Sequence, residues 1–229
     1  MLETLKQSVY QANLELVERG LVVLTWGNVS AIEREQNLVV IKPSGVSYDE
    51  MKPSDMVVVD LDGNRMEGDL KPSSDTPTHL ALYRAWPSIG GITHTHSAYA
   101  TMFAQAVRPI PCLGTTHADH FFGRVPVTRA LTEEEVDNGY EENTGNVIVE
   151  RFDELDPVAI PAALVANHGP FTWGEDVGDA VRNAVVLDEV ARMALGTVQL
   201  NPAIEDIPPH ILNKHYYRKH GSGAYYGQR

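Results

Sequence analysis

The chain has 229 residues, 43% of them hydrophobic, which suits one compact domain with a sizeable core. Its 18 Lys and Arg stand against 31 Asp and Glu, a formal net charge of -13. That balance argues against a nucleic-acid or anionic-membrane partner, and any anionic ligand would have to be captured by local donors. The one cysteine, Cys112, leaves no internal disulfide and fits a reducing compartment. Charges at Glu3, Lys6, Glu15, Glu18 and Arg19 speak against a signal peptide, and no apolar run is long enough to span a bilayer. A soluble, cytoplasmic protein is expected.

Leu2, Leu5, Val9, Ala12 and Leu16 recur at spacings of three and four, predicting an amphipathic helix that stops at Gly20. Strands are expected at LVVLT (21–25), LVVIK (38–42) and MVVVDL (56–61), the last closed by Asp62-Gly63. A helix should begin near SSDTP, capped by Ser74 or Asp75 with Pro77 in its first turn, and run through HLALYRAW. GGITHTH reads as a strand and SAYATMFAQA as a short helix. Residues 107–130 read as loops with a short strand near VPVT. A helix is expected around 143–153, then a strand in PAALVANHG, a turn, and FTW. The helix from about 176 to 197 buries Ala180, Ala184, Leu187 and Val190 or Ala191 on one face. The aromatic-rich tail NKHYYRKHGSGAYYGQR is expected to dock, on a neighbouring subunit. With most strands not separated by single helices, the pattern predicts one mixed α/β domain around a largely antiparallel sheet.

The chemistry concentrates in three groups. In a strand, His94 and His96 of GITHTH point to one face about 6.5 Å apart and can share an ion. His168, which follows another apolar strand and precedes a glycine, is the best third ligand. Asp75 is a fourth ligand, a base beside the metal, or a helix cap. Imidazole with carboxylate suits zinc. TWGNVS, KPSGVS and KPSSD form the second group: Ser73 and Ser74 stand at a helix N-terminus that favours an anion, and Lys42 adds a charge. Each stretch alone is also ordinary turn chemistry. The third group is His117, Asp119 and His120 in the GTTHADHFFG loop, with His215, Tyr225 and Tyr226 in the tail.

Taken together, LTWGNVS, IKPSGV, KPSSDTPTH, GITHTHS, GTTHAD, ENTGNVIVE, HGPFTWG and KHYYRKHG closely resemble the class II sugar-phosphate aldolases and epimerases. Within that family the resemblance is to the 4-epimerase branch, which interconverts L-ribulose 5-phosphate and D-xylulose 5-phosphate. It runs from the first helix to the last residues. It implies a three-layer α/β/α sandwich around a mainly antiparallel sheet. Residues 1–229 would form a single domain whose tail, about 213–229, completes the active site of a homotetramer at subunit interfaces. It further implies one zinc per subunit on His94, His96 and His168 with Asp75 beside it, manganese or cobalt being able to use the same ligands. Asn28, Lys42, Ser44, Gly45, Ser73 and Ser74 match the family's substrate and phosphate pocket. Asp119 and Tyr226, the latter from the adjacent subunit, match its acid/base pair; Thr115 and His215 match assisting positions. Tyr225 is the alternative to Tyr226, and Glu141 or Glu142 could supply a local acid. The fuculose-phosphate aldolases of the family carry Glu at the position of Asp75, which favours an epimerase over an aldolase. The intact histidines speak against a non-catalytic scaffold of the adducin-head kind.

Overall fold

The structure, a computed structural model, describes residues 2–227. Helix α1 (Glu3–Glu18) buries Val9, Ala12 and Leu16 along one stripe and stops just before Gly20, as the periodicity requires. The following LVVLT segment is not a strand. Leu21 turns into the core, but Val23, Leu24 and Trp26 are exposed, and Leu24 takes a left-handed backbone at φ 55°. An unbroken apolar run has no period-two alternation to commit it to a sheet face.

Among the described residues seven strands form a single sheet: β1 (Gly27–Glu33), β2 (Leu38–Ile41), β3 (Val57–Asp60), β4 (Arg65–Glu67), β5 (Gly91–Thr95), β6 (Ala162–Leu164) and β7 (Pro170–Gly174). Their order is β4-β3-β2-β1-β5-β7-β6, and every neighbouring pair is antiparallel. Strand β4 follows directly from the Asp62-Gly63 turn; its charged ends, Arg65 and Glu67, hide it from a search for apolar runs.

Alternation along β2 and β3 separates two cores. Val39, Val57 and Val59 pack with Leu80, Leu82 and Tyr83 of α2 (Thr76–Ala85) and Ile148 of α6 (Tyr140–Arg151). Val40 and Val58 pack with Val9 of α1 on the other face. That second face also carries α3 (Ala98–Gln105) and the long α7 (Val177–Leu200), whose Leu187, Val190 and Ala191 meet Ala100 and Phe103. The result is the expected three layers.

Between residues 107 and 130 the chain is more ordered than its Pro, Gly and Thr content suggests. It contains the one-turn α4 (Thr115–Ala118), while VPVT makes only isolated bridges, Ile110 to Val125 and Val127 to Leu164. A short α5 (Glu133–Asp137) opens on a reciprocal Thr132–Glu135 capping box, a T-x-x-E signal that apolar periodicity does not carry. The tail begins as α8 (Pro209–Tyr217). Asp75 stands at the N-cap of α2, yet neither it nor Ser74 caps the helix through a side chain. The Asp75 carboxylate is engaged elsewhere. Among the described residues no helix is long and apolar enough to cross a membrane.

Candidate metal centre and its pocket

Strand pairing places His94 opposite Asn28 of β1 on one side and Phe171 of β7 on the other. Its ring lies flat on Phe171, with centroids 4.2 Å apart, and Nδ1–H donates to the Pro170 carbonyl at 3.0 Å. That bond puts the proton on Nδ1 and leaves Nε2 as a bare lone pair. His96, just past the strand end, brings its Nε2 to 3.2 Å from it. His168 comes from a tight turn in which Val165 N–H donates to the Gly169 carbonyl and His168 N–H to the Val165 carbonyl. Gly169 is required there, since a Cβ would stand 2.9 Å from the Thr95 carbonyl.

One ligand atom from each of the three histidines lies within 4.8 Å of the other two. Three converging imidazoles, one with its outer nitrogen already bonded to a carbonyl, fit a divalent cation of the zinc kind. The environment of His168 and His96 favours the neutral form a ligand needs. Burial, and then the neighbouring His94 and His96, push His168 down to about 3, and burial followed by His94 lowers His96. Asp75 is outside the three-histidine group and accepts from Asn28 Nδ2 at 2.6 Å. Burial would raise its pKa, but His94, His79 and the Asn28 bond outweigh burial and hold it below the usual carboxylate range.

All ten residues assigned by sequence to the metal and phosphate groups line one cavity of about 340 Å³: His94, His96, His168, Asp75, Asn28, Lys42, Ser44, Gly45, Ser73 and Ser74. Thr25 and Trp26 line it as well, which their place beside Gly27-Asn28 in TWGN could have suggested. Tyr140 was also missed: its hydroxyl lies 3.3 Å from His168 Nδ1. Of the two neighbouring acids, Glu142 pairs with Arg84.

Lys42 is buried, its ammonium donating to the carbonyls of Pro43 and Val46 over the ring of Tyr48. Desolvation lowers its pKa to about 8 from the ordinary 10.5. Between those values the unfolded chain holds a proton that the folded chain has shed. This group therefore makes stability rise with pH across the window from about 8 to 10.5. Urea midpoints across that window should climb for the wild type and flatten in Lys42→Met. An equal climb in both would assign the proton to another group.

The third group of candidates does not line this cavity. Asp119, at the end of α4, is gripped by the chain's own tail: Arg218 donates from Nε at 2.9 Å and Nη2 at 2.6 Å, and His215 Nδ1 stands at 3.0 Å. Lys219 adds an ammonium at 3.4 Å, and His220 Nε2–H donates to the Asp119 carbonyl. Burial would raise Asp119, but the Arg218 and His215 bonds prevail and keep it an ionised carboxylate. Arg218 and Lys219 both lie 4.7 Å from the Tyr226 ring centroid, so the two acid/base candidates share one pair of cations. Tyr225 faces Lys214 instead. Thr115 lies on α4, one turn before Asp119, whose N–H donates to the Thr115 carbonyl. The tail thus docks on its own chain, because Asp119 offers it a buried anion.

Residues 7–195 match the family model described as class II aldolase and adducin N-terminal domain. The chain belongs to this class II aldolase family. Over 228 residues, the full length of both chains, it is 59% identical to proteins named L-ribulose-5-phosphate 4-epimerase UlaF from Salmonella paratyphi B and Salmonella typhi. Among solved structures it is similar to an L-fuculose 1-phosphate aldolase, with a TM-score of 0.80 and 28% identity over 94% of this chain and 95% of that one. An L-fuculose 1-phosphate aldolase from Glaciozyma antarctica, 18% identical, covers 97% of this chain and 84% of its own with a TM-score of 0.77, and so shares the fold. The class II aldolase fold expected from sequence is therefore the one present.

Proposed function

We propose that this chain is an L-ribulose-5-phosphate 4-epimerase of pentose catabolism, interconverting L-ribulose 5-phosphate and D-xylulose 5-phosphate. The observation that carries this reading is the 59% identity, end to end, with proteins of that name. The three-imidazole cavity supplies chemistry that suits it.

The hydrogen on carbon 4 of the substrate is not acidic, so inversion is easier by breaking the bond between carbons 3 and 4. One acid/base group takes the proton of the carbon 4 hydroxyl. The bond then cleaves to glycolaldehyde phosphate and the enediolate of dihydroxyacetone. The aldehyde rotates, the enediolate adds to its other face, and a second group returns a proton to the new alkoxide. In this reading Asp119 and Tyr226 are those two groups, with Thr115 and His215 assisting. Arg218 keeps Asp119 ionised, ready to accept a proton. Asn28, Lys42, Ser44, Gly45, Ser73 and Ser74 hold the phosphate so that the fragment turns without leaving. A divalent cation, zinc in this reading, would be held by His94, His96 and His168 with Asp75 beside it; when bound it supplies Lewis-acid stabilisation of the developing negative charge.

The further reading is a homotetramer with active sites at subunit interfaces, the tail's Tyr226 serving an adjacent subunit; that Tyr226 does not line the metal cavity of its own chain fits this reading. The carbon-bond reading makes a direct prediction. Turned over in heavy water, metal-loaded protein should yield D-xylulose 5-phosphate with no deuterium at carbon 4, by proton magnetic resonance. Deuterium at that position would mean direct deprotonation and overturn the cleavage route. No D-xylulose 5-phosphate at all would overturn the function.

A further inference from the structure

The ENTGNVIVE stretch has no part in the chemistry described so far, yet it brackets a side chain at the metal centre. Tyr140 opens α6 directly after Gly139, whose left-handed backbone at φ 102° turns the chain into the helix. Thr144 Oγ1–H donates to the Tyr140 carbonyl at 2.8 Å, and Asn143 N–H to that of Gly139 at 2.9 Å. The same turn is fastened to α2, the helix that begins at Asp75. Thr78 Oγ1–H donates to the Glu141 carbonyl, and a Cβ on Gly145 would stand only 2.6 Å from that of Ala81. The first turn of α6 is therefore fixed in place from both sides.

Tyr140 is 37% exposed, so the core does not hold its ring. Its hydroxyl nonetheless comes within hydrogen-bond reach of His168 Nδ1, at 3.3 Å, with the two rings inclined by 30°. With Nδ1 engaged, Nε2 is the nitrogen left for a cation. A neutral imidazole with a bare Nε2 carries its proton on Nδ1, so Nδ1–H donates to the phenol oxygen. His94 has the same arrangement, its Nδ1–H donating to the Pro170 carbonyl. His94 is also held by strand pairing on both sides, whereas His168 stands in a turn outside any strand. We propose that Tyr140 is a positioning residue whose phenol oxygen takes the His168 Nδ1–H, fixes the imidazole and leaves Nε2 for the cation that His94 and His96 share. The proposal rests on the metal reading of those three histidines.

Cobalt(II) is the probe, read by its visible absorption and by competition with a chromophoric chelator. Tyr140→Phe keeps the ring and removes the oxygen, whereas Tyr140→Leu removes both. Cobalt affinity should fall about 10- to 100-fold in Tyr140→Phe, with an altered spectrum and unchanged metal-free melting. Tyr140→Leu should lose at least as much. Wild-type affinity in Tyr140→Phe would overturn the proposal, and a loss seen in Tyr140→Leu alone would make Tyr140 a packing residue. A loss in Tyr140→Phe accompanied by an early metal-free melt would be structural and would overturn it as well. His96→Asn runs beside them. Cobalt binding that survives His96→Asn defeats the metal reading itself, and the proposal with it. Binding lost there but intact in Tyr140→Phe defeats only the positioning role.

Discussion

His96→Asn should abolish turnover for practical purposes, lowering kcat by about 1,000-fold or more. The estimate follows from losing a Lewis acid worth several kcal/mol when each 1.4 kcal/mol or so is tenfold in rate. His96 is the exposed member of the trio, and its Nε2 stands 3.2 Å from that of His94, so its loss opens the set without cutting into the core. The metal-free variant should therefore melt close to the metal-free wild type while binding zinc far more weakly. Metal content by atomic spectroscopy, with kcat measured beside it, checks both halves. Full zinc occupancy and wild-type kcat in this variant would remove the histidine set from the chemistry.

Asp119→Asn should be nearly as severe, through a different link. The amide keeps the shape of the carboxylate but only one acceptor oxygen and no charge. Arg218 then loses its bidentate partner, and Lys219 and His215 lose the anion that gathers them. Loss of a positioned acid/base group costs about 10²- to 10⁴-fold in kcat. Release of the tail should also expose the bonds after Arg218 and Lys219 to trypsin. Turnover kinetics and a cleavage time course read the two effects separately. Unchanged kcat with unchanged cleavage would make Asp119 a bystander.

How much of this was legible in the sequence depended on whether a signal was local. His94 and His96 sit two apart at the end of a strand, and the strand period, carried one residue past that end, put them on one face. The α7 stripe, the Asp62-Gly63 turn and the apolar lead into His168 were local in the same sense. LVVLT misled because apolarity without alternation does not distinguish a strand from a connection. Asp75 and Asn28 were both legible, but their meeting depends on β1 lying under α2, which no single segment encodes. The same holds for the tail. That Arg218 would find Asp119, 99 residues away, follows from the packing of α8 beside α4 and not from any motif. Asp75 is the instructive case. Helix-start chemistry placed it correctly at the N-cap, but the side chain serves Asn28 in place of the helix, because a cavity lined with imidazoles favours an anion there.

The most direct test of the central claim resolves the products formed from L-ribulose 5-phosphate by zinc-loaded protein, with a chelated aliquot alongside. D-xylulose 5-phosphate with little free dihydroxyacetone or glycolaldehyde phosphate, lost on chelation and restored by zinc, is the result this account predicts. Accumulating fragments would make the protein an aldolase of the same fold, and turnover indifferent to chelation would contradict the role given to His94, His96 and His168.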